Sequence, residues 1–208
     1  MKFMKGILMN KKVLYWPGLG KDMKVLNSFR RELAAEGYQI DVVDFEYDKG
    51  SLNPNKWKQI QKNQYDWWIG ISLGASLLYY SYNFVENSLR PKRLTLINPF
   101  CSRKILSEEK LFDMSKQWDF SPIDNLCIVD KIDVVISIYD WKIPIYHGIK
   151  LLTLTSSLNK YIIFLNSDHI VDNEIIQKEL VKALITCEEG KKNQNEEKFN
   201  NCYIYKQQ

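Results

Sequence analysis

Histidine is scarce in this chain: its 208 residues include two, His147 and His169. Cysteine is also sparse. Cys101, Cys127, Cys187 and Cys202 lack paired or metal-type spacing, and no cysteine neighbours either histidine in the sequence. A metal centre built from such ligands is therefore not expected. Charge of one sign is lacking as well. With 29 basic against 25 acidic residues the net charge is +4, and the lysines are scattered apart from a Lys191-Lys192 pair. That balance argues against a nucleic-acid partner. No apolar run reaches the length of a membrane span. The lysines between Met1 and Lys12 interrupt the unbroken apolar stretch a secretory signal needs. A cytoplasmic protein with reduced thiols is expected. No internal repeat is present.

What the chain does contain is ordinary for a globular protein: 45% apolar and 26% charged residues, with six Trp, twelve Tyr and nine Phe. The aromatics suffice to line an apolar pocket, although core packing accounts for most aromatics in any protein. The length fits one domain with a sizeable core, over about 1–190. The composition of 191–208 turns to Lys, Asn, Glu and Gln, which reads as a polar tail with little structure of its own.

Within the domain, short apolar runs alternate with helical patterns. Val13-Leu14-Tyr15-Trp16 reads as a buried strand halted by Pro17-Gly18-Leu19-Gly20. A helix is expected from about Asp22 to Glu36, with Leu26, Phe29, Leu33 and Ala34 on one face and Gly37 as its stop. Ile40 to Phe45 is a second strand, followed by a turn-rich stretch and a short helix carrying Trp57 and Ile60. Tyr65 to Ile71 is a third strand, leading into a helix that holds Leu77, Leu78 and Tyr82. Arg93 to Asn98, Val134 to Tyr139 and Lys160 to Leu165 are further strands. Helices are expected around Glu108 to Lys116, from about Ile145 to Leu152, and from near Asn173 to Gly190. In the last, Ile175, Ile176, Leu180 and Leu184 form the buried side. Strands that alternate with helices, and show little polar alternation themselves, indicate an α/β fold. Its central sheet is mostly parallel, with helices on both faces.

Ligands in such sheets gather at the carboxyl ends of the strands. Gly70-Ile71-Ser72-Leu73-Gly74 lies at one such end, between a strand and a helix, and matches G-x-S-x-G. A serine on so sharp a turn has strained backbone angles, so its neighbours two positions away must be small. The turn lifts the hydroxyl clear of the sheet, and the Leu73 N–H becomes available to a developing oxyanion. The competing reading is a glycine-rich helix entry with a capping serine.

In this context the sequence resembles the α/β-hydrolase family, over roughly Lys12 to Gly190, by the order and spacing of its elements. The elbow is the one specific motif. The resemblance implies a triad in the order Ser, acid, His. Tyr139-Asp140-Trp141-Lys142-Ile143-Pro144 is similar to the family's acid loop, and Leu165-Asn166-Ser167-Asp168-His169 to its strand-loop-histidine ending. Ser72, Asp140 and His169 are then nucleophile, orienting acid and base. Asp140 is otherwise a helix-capping carboxylate, and His169 a plain loop histidine. Asp130 and Asp133 precede their strand and belong to the wrong end of the sheet, and Asp113, Asp119 and Asp124 fall in the insert. His147 reads as a surface or pocket-wall residue. Pro17-Gly18-Leu19-Gly20 stands where the family has a His-Gly loop, which makes the Leu19 N–H a second oxyanion donor; the alternative is an ordinary glycine turn.

The segment of about 101–131 corresponds to a small lid. Phe100, Leu106, Leu111, Phe112, Met114, Trp118 and Phe120 either line an acyl pocket or form the lid's own packing face. The resemblance implies a serine hydrolase acting on an ester or thioester of a small or medium acyl substrate. Because the triad supplies both nucleophile and proton transfer, neither metal nor organic cofactor is implied. Acyl transfer or peptide-bond hydrolysis by the same triad is the enzymatic alternative, and a non-catalytic binding protein on the same fold is the other.

Overall fold

The computed structural model describes residues 11–18, 23–43, 63–102, 120–189 and 199–207. They form a sheet of strands β1 (Lys11–Trp16), β2 (Tyr38–Val42), β3 (Trp67–Ile71), β4 (Arg93–Ile97), β5 (Lys131–Ser137), β6 (Asn159–Leu165) and β7 (Cys202–Gln207). The helices that cover it are α1 (Met23–Ala35), α2 (Leu73–Ser81), α3 (Ile145–Leu154) and α4 (Glu174–Glu189). Across the sheet the strand order is β2-β1-β3-β4-β5-β6-β7. All neighbours pair in parallel except β6 and β7, which are antiparallel. The expected α/β class and mostly parallel sheet are what the chain adopts. Among the described residues no helix is long and apolar enough to cross a membrane.

Alternation along each strand sends neighbouring side chains to opposite faces. Leu14, Trp16, Trp68, Leu94, Leu96, Val134 and Ile136 face one side. There they pack against Leu77, Leu78 and Tyr79 of α2 and Leu151 and Leu152 of α3. Val13, Tyr15, Trp67, Ile69, Val135 and Ile163 face the other, against Phe29 and Leu33 of α1 and Ile176, Leu180 and Leu184 of α4. Both faces are buried, which is why the strands read as nearly continuous apolar runs. Two residues expected on buried helix faces are not there: Ala34 and Ile175 are exposed.

Within the expected polar tail of 191–208, Cys202–Gln207 is a strand paired along β6. Cys202 is buried while Tyr203 and Tyr205 face solvent, so a two-residue period marks the strand. Two further expectations need correcting. Asp133 does not precede β5 but lies within it, fully buried, with its carboxylate 2.7 Å from Arg93 Nε. The same oxygen accepts from the Thr95 hydroxyl at 2.8 Å, and Arg93 also donates to the Leu184 carbonyl and stacks 3.8 Å over the Trp67 ring. Strand β5 accordingly starts earlier than the apolar run does and ends at Ser137. Second, His147 is neither surface nor pocket wall. It is fully buried at the start of α3, with Nδ1 3.1 Å from Cys101 Sγ, a cysteine distant in sequence. The expected helices carrying Trp57 and Ile60 and spanning Glu108–Lys116 lie outside the described residues.

Between β1 and β3 the strand order reverses, and such a point opens a crevice at the carboxyl ends. The chain leaves β1 through Pro17-Gly18 and leaves β3 through Ser72, side by side.

Candidate active site

Strand β3 ends in a turn whose geometry tolerates few residues. Ser72 has φ 52° and ψ −123°, a conformation an L-residue adopts only under compulsion. Its N–H donates to the Ile97 carbonyl at 2.7 Å, and its own carbonyl accepts from the Ser76 N–H as α2 begins. The two flanking glycines explain the compulsion. A Cβ on Gly74 would stand 2.3 Å from both the Trp16 and Pro17 carbonyl oxygens, and one on Gly70 would stand 2.6 Å from Ala75 Cα. Helix α2 is thus packed directly onto the exit of β1. Ser72 makes no side-chain capping bond to its helix, so the capping-serine reading fails.

Its hydroxyl turns instead towards the loop after β6. Ser72 Oγ lies 2.9 Å from His169 Nε2, and His169 Nδ1 lies 2.7 Å from Asp140 Oδ2. The histidine side chain is 10% exposed and the aspartate side chain 1% exposed, so water screens this contact little. An ionised carboxylate only accepts, which puts the imidazole proton on Nδ1 and leaves the Nε2 lone pair facing the serine. The second carboxylate oxygen, Oδ1, accepts from the backbone N–H groups of Lys142 and Ile143 at 2.8 and 2.9 Å. Asp140 therefore closes its own loop but does not cap α3, whose N-cap is Pro144. The three side chains picked out in the sequence converge, although 97 positions separate Ser72 from His169.

The loop after β1 also reaches this point. A Cβ built on Gly18 would lie 3.4 Å from Ser72 Cβ. Leu19 itself, the expected second oxyanion donor, lies outside the described residues. So do Leu106, Leu111, Phe112, Met114 and Trp118 of the expected lid, and Asp113 and Asp119. Phe100 and Phe120 are buried and pack ring to ring at 5.6 Å, with Tyr80 5.4 Å beyond Phe120, which is core packing and not an open wall. Among the described residues no three His, Cys, Asp or Glu side chains gather as metal ligands would.

Sequence reasoning passed over Asn98. It follows β4 directly, with φ 48°, and is buried at the same rim, in contact with the histidine loop. The available signal was an asparagine, tolerant of positive φ, between an apolar strand and a proline.

No protein-family model matches the chain, and no curated protein does. Solved structures do. The esterase domain of a Rhodothermus marinus protein superposes with a TM-score of 0.63 at 16% identity, covering 86% of each chain. Est1E from Butyrivibrio proteoclasticus, with ferulic acid bound, gives a TM-score of 0.66 at 12% identity over 90% of this chain and 93% of that one. The chain has the α/β-hydrolase fold. A thioesterase domain from the curacin biosynthetic pathway is also similar, with a TM-score of 0.56 at 11% identity over 86% of this chain and 92% of its own. At such identities the likeness concerns the architecture. In this α/β-hydrolase fold the Ser72 turn, the Asp140 loop and the His169 loop all sit at the carboxyl edge of the sheet, after β3, β5 and β6.

Proposed function

We propose that this protein is a serine hydrolase that cleaves carboxylic esters or thioesters of small or medium acyl substrates through an acyl-enzyme. The observation that carries the proposal is the unbroken chain of contacts from the Ser72 hydroxyl through the His169 ring to the Asp140 carboxylate. A serine hydroxyl is a poor nucleophile at neutral pH unless a base takes its proton as it attacks. In the proposed first step, Ser72 Oγ forms a bond to the substrate carbonyl carbon while its proton passes to His169 Nε2. The carbonyl π pair moves onto oxygen. Asp140 holds the imidazole in register and stabilises the imidazolium. The backbone N–H groups of Leu73 and Leu19 are the proposed oxyanion donors. Collapse of the oxyanion expels the alcohol or thiol, which takes the Nε2 proton, and leaves Ser72 acylated. Water then attacks the acyl carbon, giving a proton to Nε2; collapse of the second oxyanion breaks the bond to Ser72 Oγ, which takes that proton back as the acid leaves.

Similarity to esterase and thioesterase structures supports this choice among the reactions a triad can run. Exposed apolar side chains also neighbour two of the triad residues along the chain. Tyr139 and Trp141 flank Asp140 in sequence and are 65% and 70% exposed, and Ile170, next to His169, is exposed too. A panel of p-nitrophenyl esters of rising chain length tests the reading. Turnover that disappears in Ser72→Ala is expected, whereas turnover confined to amide substrates would replace esters by peptides as the substrate class.

A further inference from the structure

We infer that Asn98 is a positioning residue that sets the His169 ring against the Ser72 hydroxyl; the inference rests on the triad reading above. Three observations converge on it. First, the Ile97–Asn98 junction holds both partners. The Ile97 carbonyl accepts from the Ser72 N–H at 2.7 Å, and the Asn98 side-chain amide donates to the His169 carbonyl at 3.0 Å. Nucleophile and base are therefore hung from adjacent residues at the end of one strand.

Second, the carboxamide is fully used. Oδ1 accepts from the Ser137 N–H at 2.8 Å, and Nδ2 donates to Ser137 Oγ at 2.9 Å as well as to His169. Ser137 Oγ in turn meets Ser167 Oγ at 2.8 Å, two residues before the histidine. One buried amide thus braces the end of β5, from which the Asp140 loop departs, and the loop that carries His169. A buried amide with every group paired is stiff, because any shift leaves a polar atom unsatisfied.

Third, the backbone is bent to permit this. Asn98 has φ 48° and is 3% exposed, and its N–H donates to the Val135 carbonyl. Outside glycine, asparagine is among the few residues that accept such an angle. Glycine would accept the angle but supply no amide. A strand end that needed the turn alone would be served by either; the His169 contact requires the asparagine.

The test uses two variants of the full chain. Asn98→Gly keeps the backbone angle and removes the amide. Asn98→Asp keeps the size and turns a donor into an oxygen facing the His169 carbonyl. With p-nitrophenyl butyrate as substrate, kcat is measured per active site, the sites being counted by fluorophosphonate adduct mass. We expect kcat per site to fall about tenfold to a hundredfold in both, with KM within about twofold. We also expect the downfield proton resonance of the Asp140–His169 hydrogen bond to shift or broaden. Should Asn98→Gly fail to fold, Asn98→Asp supplies the same readings. A kcat per labelled site that stays within about twofold of the parent, with only the melting temperature lowered, would make Asn98 structural and overturn the inference. Turnover that survives Ser72→Ala is a separate outcome: it removes the triad itself, and the inference with it.

Discussion

Asp140 meets His169 with one carboxylate oxygen and closes its own loop with the other. Oδ2 lies 2.7 Å from His169 Nδ1, while Oδ1 accepts from the N–H groups of Lys142 and Ile143. In place of the helix cap that the sequence offered as its alternative, this carboxylate closes a loop with one oxygen while the other meets the histidine. The two roles separate by mutation. Asp140→Asn retains an oxygen for the two backbone donors and presents an amide to the histidine, which forces the wrong tautomer. Its thermal midpoint should stay within a few degrees of the parent while kcat falls by about 10⁴. Asp140→Ala should lose both activity and several degrees. Circular dichroism melts and ester turnover on both variants check this.

The turn at Ser72 depends on close backbone approach. Gly74→Ala would thrust a Cβ to 2.3 Å from two carbonyl oxygens of the β1 exit, and neither carbonyl can rotate away like a side chain. The expected result is loss of soluble protein, or folded protein whose Ser72 no longer reacts with a fluorophosphonate. Gly37→Ala, at φ 86° in a half-exposed turn, is the milder comparison and should cost about 1–2 kcal/mol. Urea unfolding of both variants measures the contrast.

At the opposite end of the sheet, Arg93 and Asp133 form an ion pair whose side chains are 6% and 0% exposed. Removing Asp133 takes the 2.7 Å partner from the buried Arg93 guanidinium and leaves it the Glu188 carboxylate at 3.6 Å. Asp133→Ala should therefore destabilise the fold by about 3–5 kcal/mol. Replacing both at once, Arg93→Met with Asp133→Leu, should recover most of that loss, since neither buried charge of the pair remains and Glu188 keeps Lys11 and Tyr38 as partners. A double-mutant cycle in urea gives the numbers. Ester turnover by each folded variant should be unchanged, because the pair lies far from the carboxyl edge.

Alkaline pH should unfold the protein. Burial pushes the Cys187 and Cys202 thiols from near 9 up to about 12, and the Tyr79 and Tyr82 phenols from near 10 up to about 12. The unfolded chain releases these protons first, so the folded state binds more of them between about 9 and 12, and stability falls as pH rises through that window. Lys131 works the other way. Burial lowers it to about 8, so the unfolded chain holds its proton longer and stability rises from about 8 towards 10.5. One rising group opposes several falling ones. Urea midpoints at intervals from pH 8 to 11, under reducing conditions, should decline above about 9, and less steeply in Cys187→Ala.

The fold was legible where burial is symmetric. Apolar runs such as Val13–Trp16 and Trp67–Ile71 lie in strands covered on both faces, so composition alone marks them. Reading failed where partners decide the outcome. Lys131 and Asp133 belong to a buried strand because the Cys187 carbonyl, Arg93 and Thr95 receive them, and no local pattern announces those contacts. Cys202–Gln207 is a strand because β6 offers it an edge. The candidate site was legible in the residues the chemistry names, since two histidines leave little choice. Asn98 was not, because its importance comes from bonds to Ser137 and to a carbonyl 71 positions away.

The central claim is that the Ser72 hydroxyl becomes a nucleophile by giving its proton to His169. The most direct measurement is to react the intact protein with a fluorophosphonate and map the adduct by peptide mass spectrometry. The account predicts a single adduct on Ser72, formed at least about a thousandfold more slowly in His169→Ala. An adduct on another residue, or one on Ser72 at an undiminished rate in His169→Ala, would contradict it.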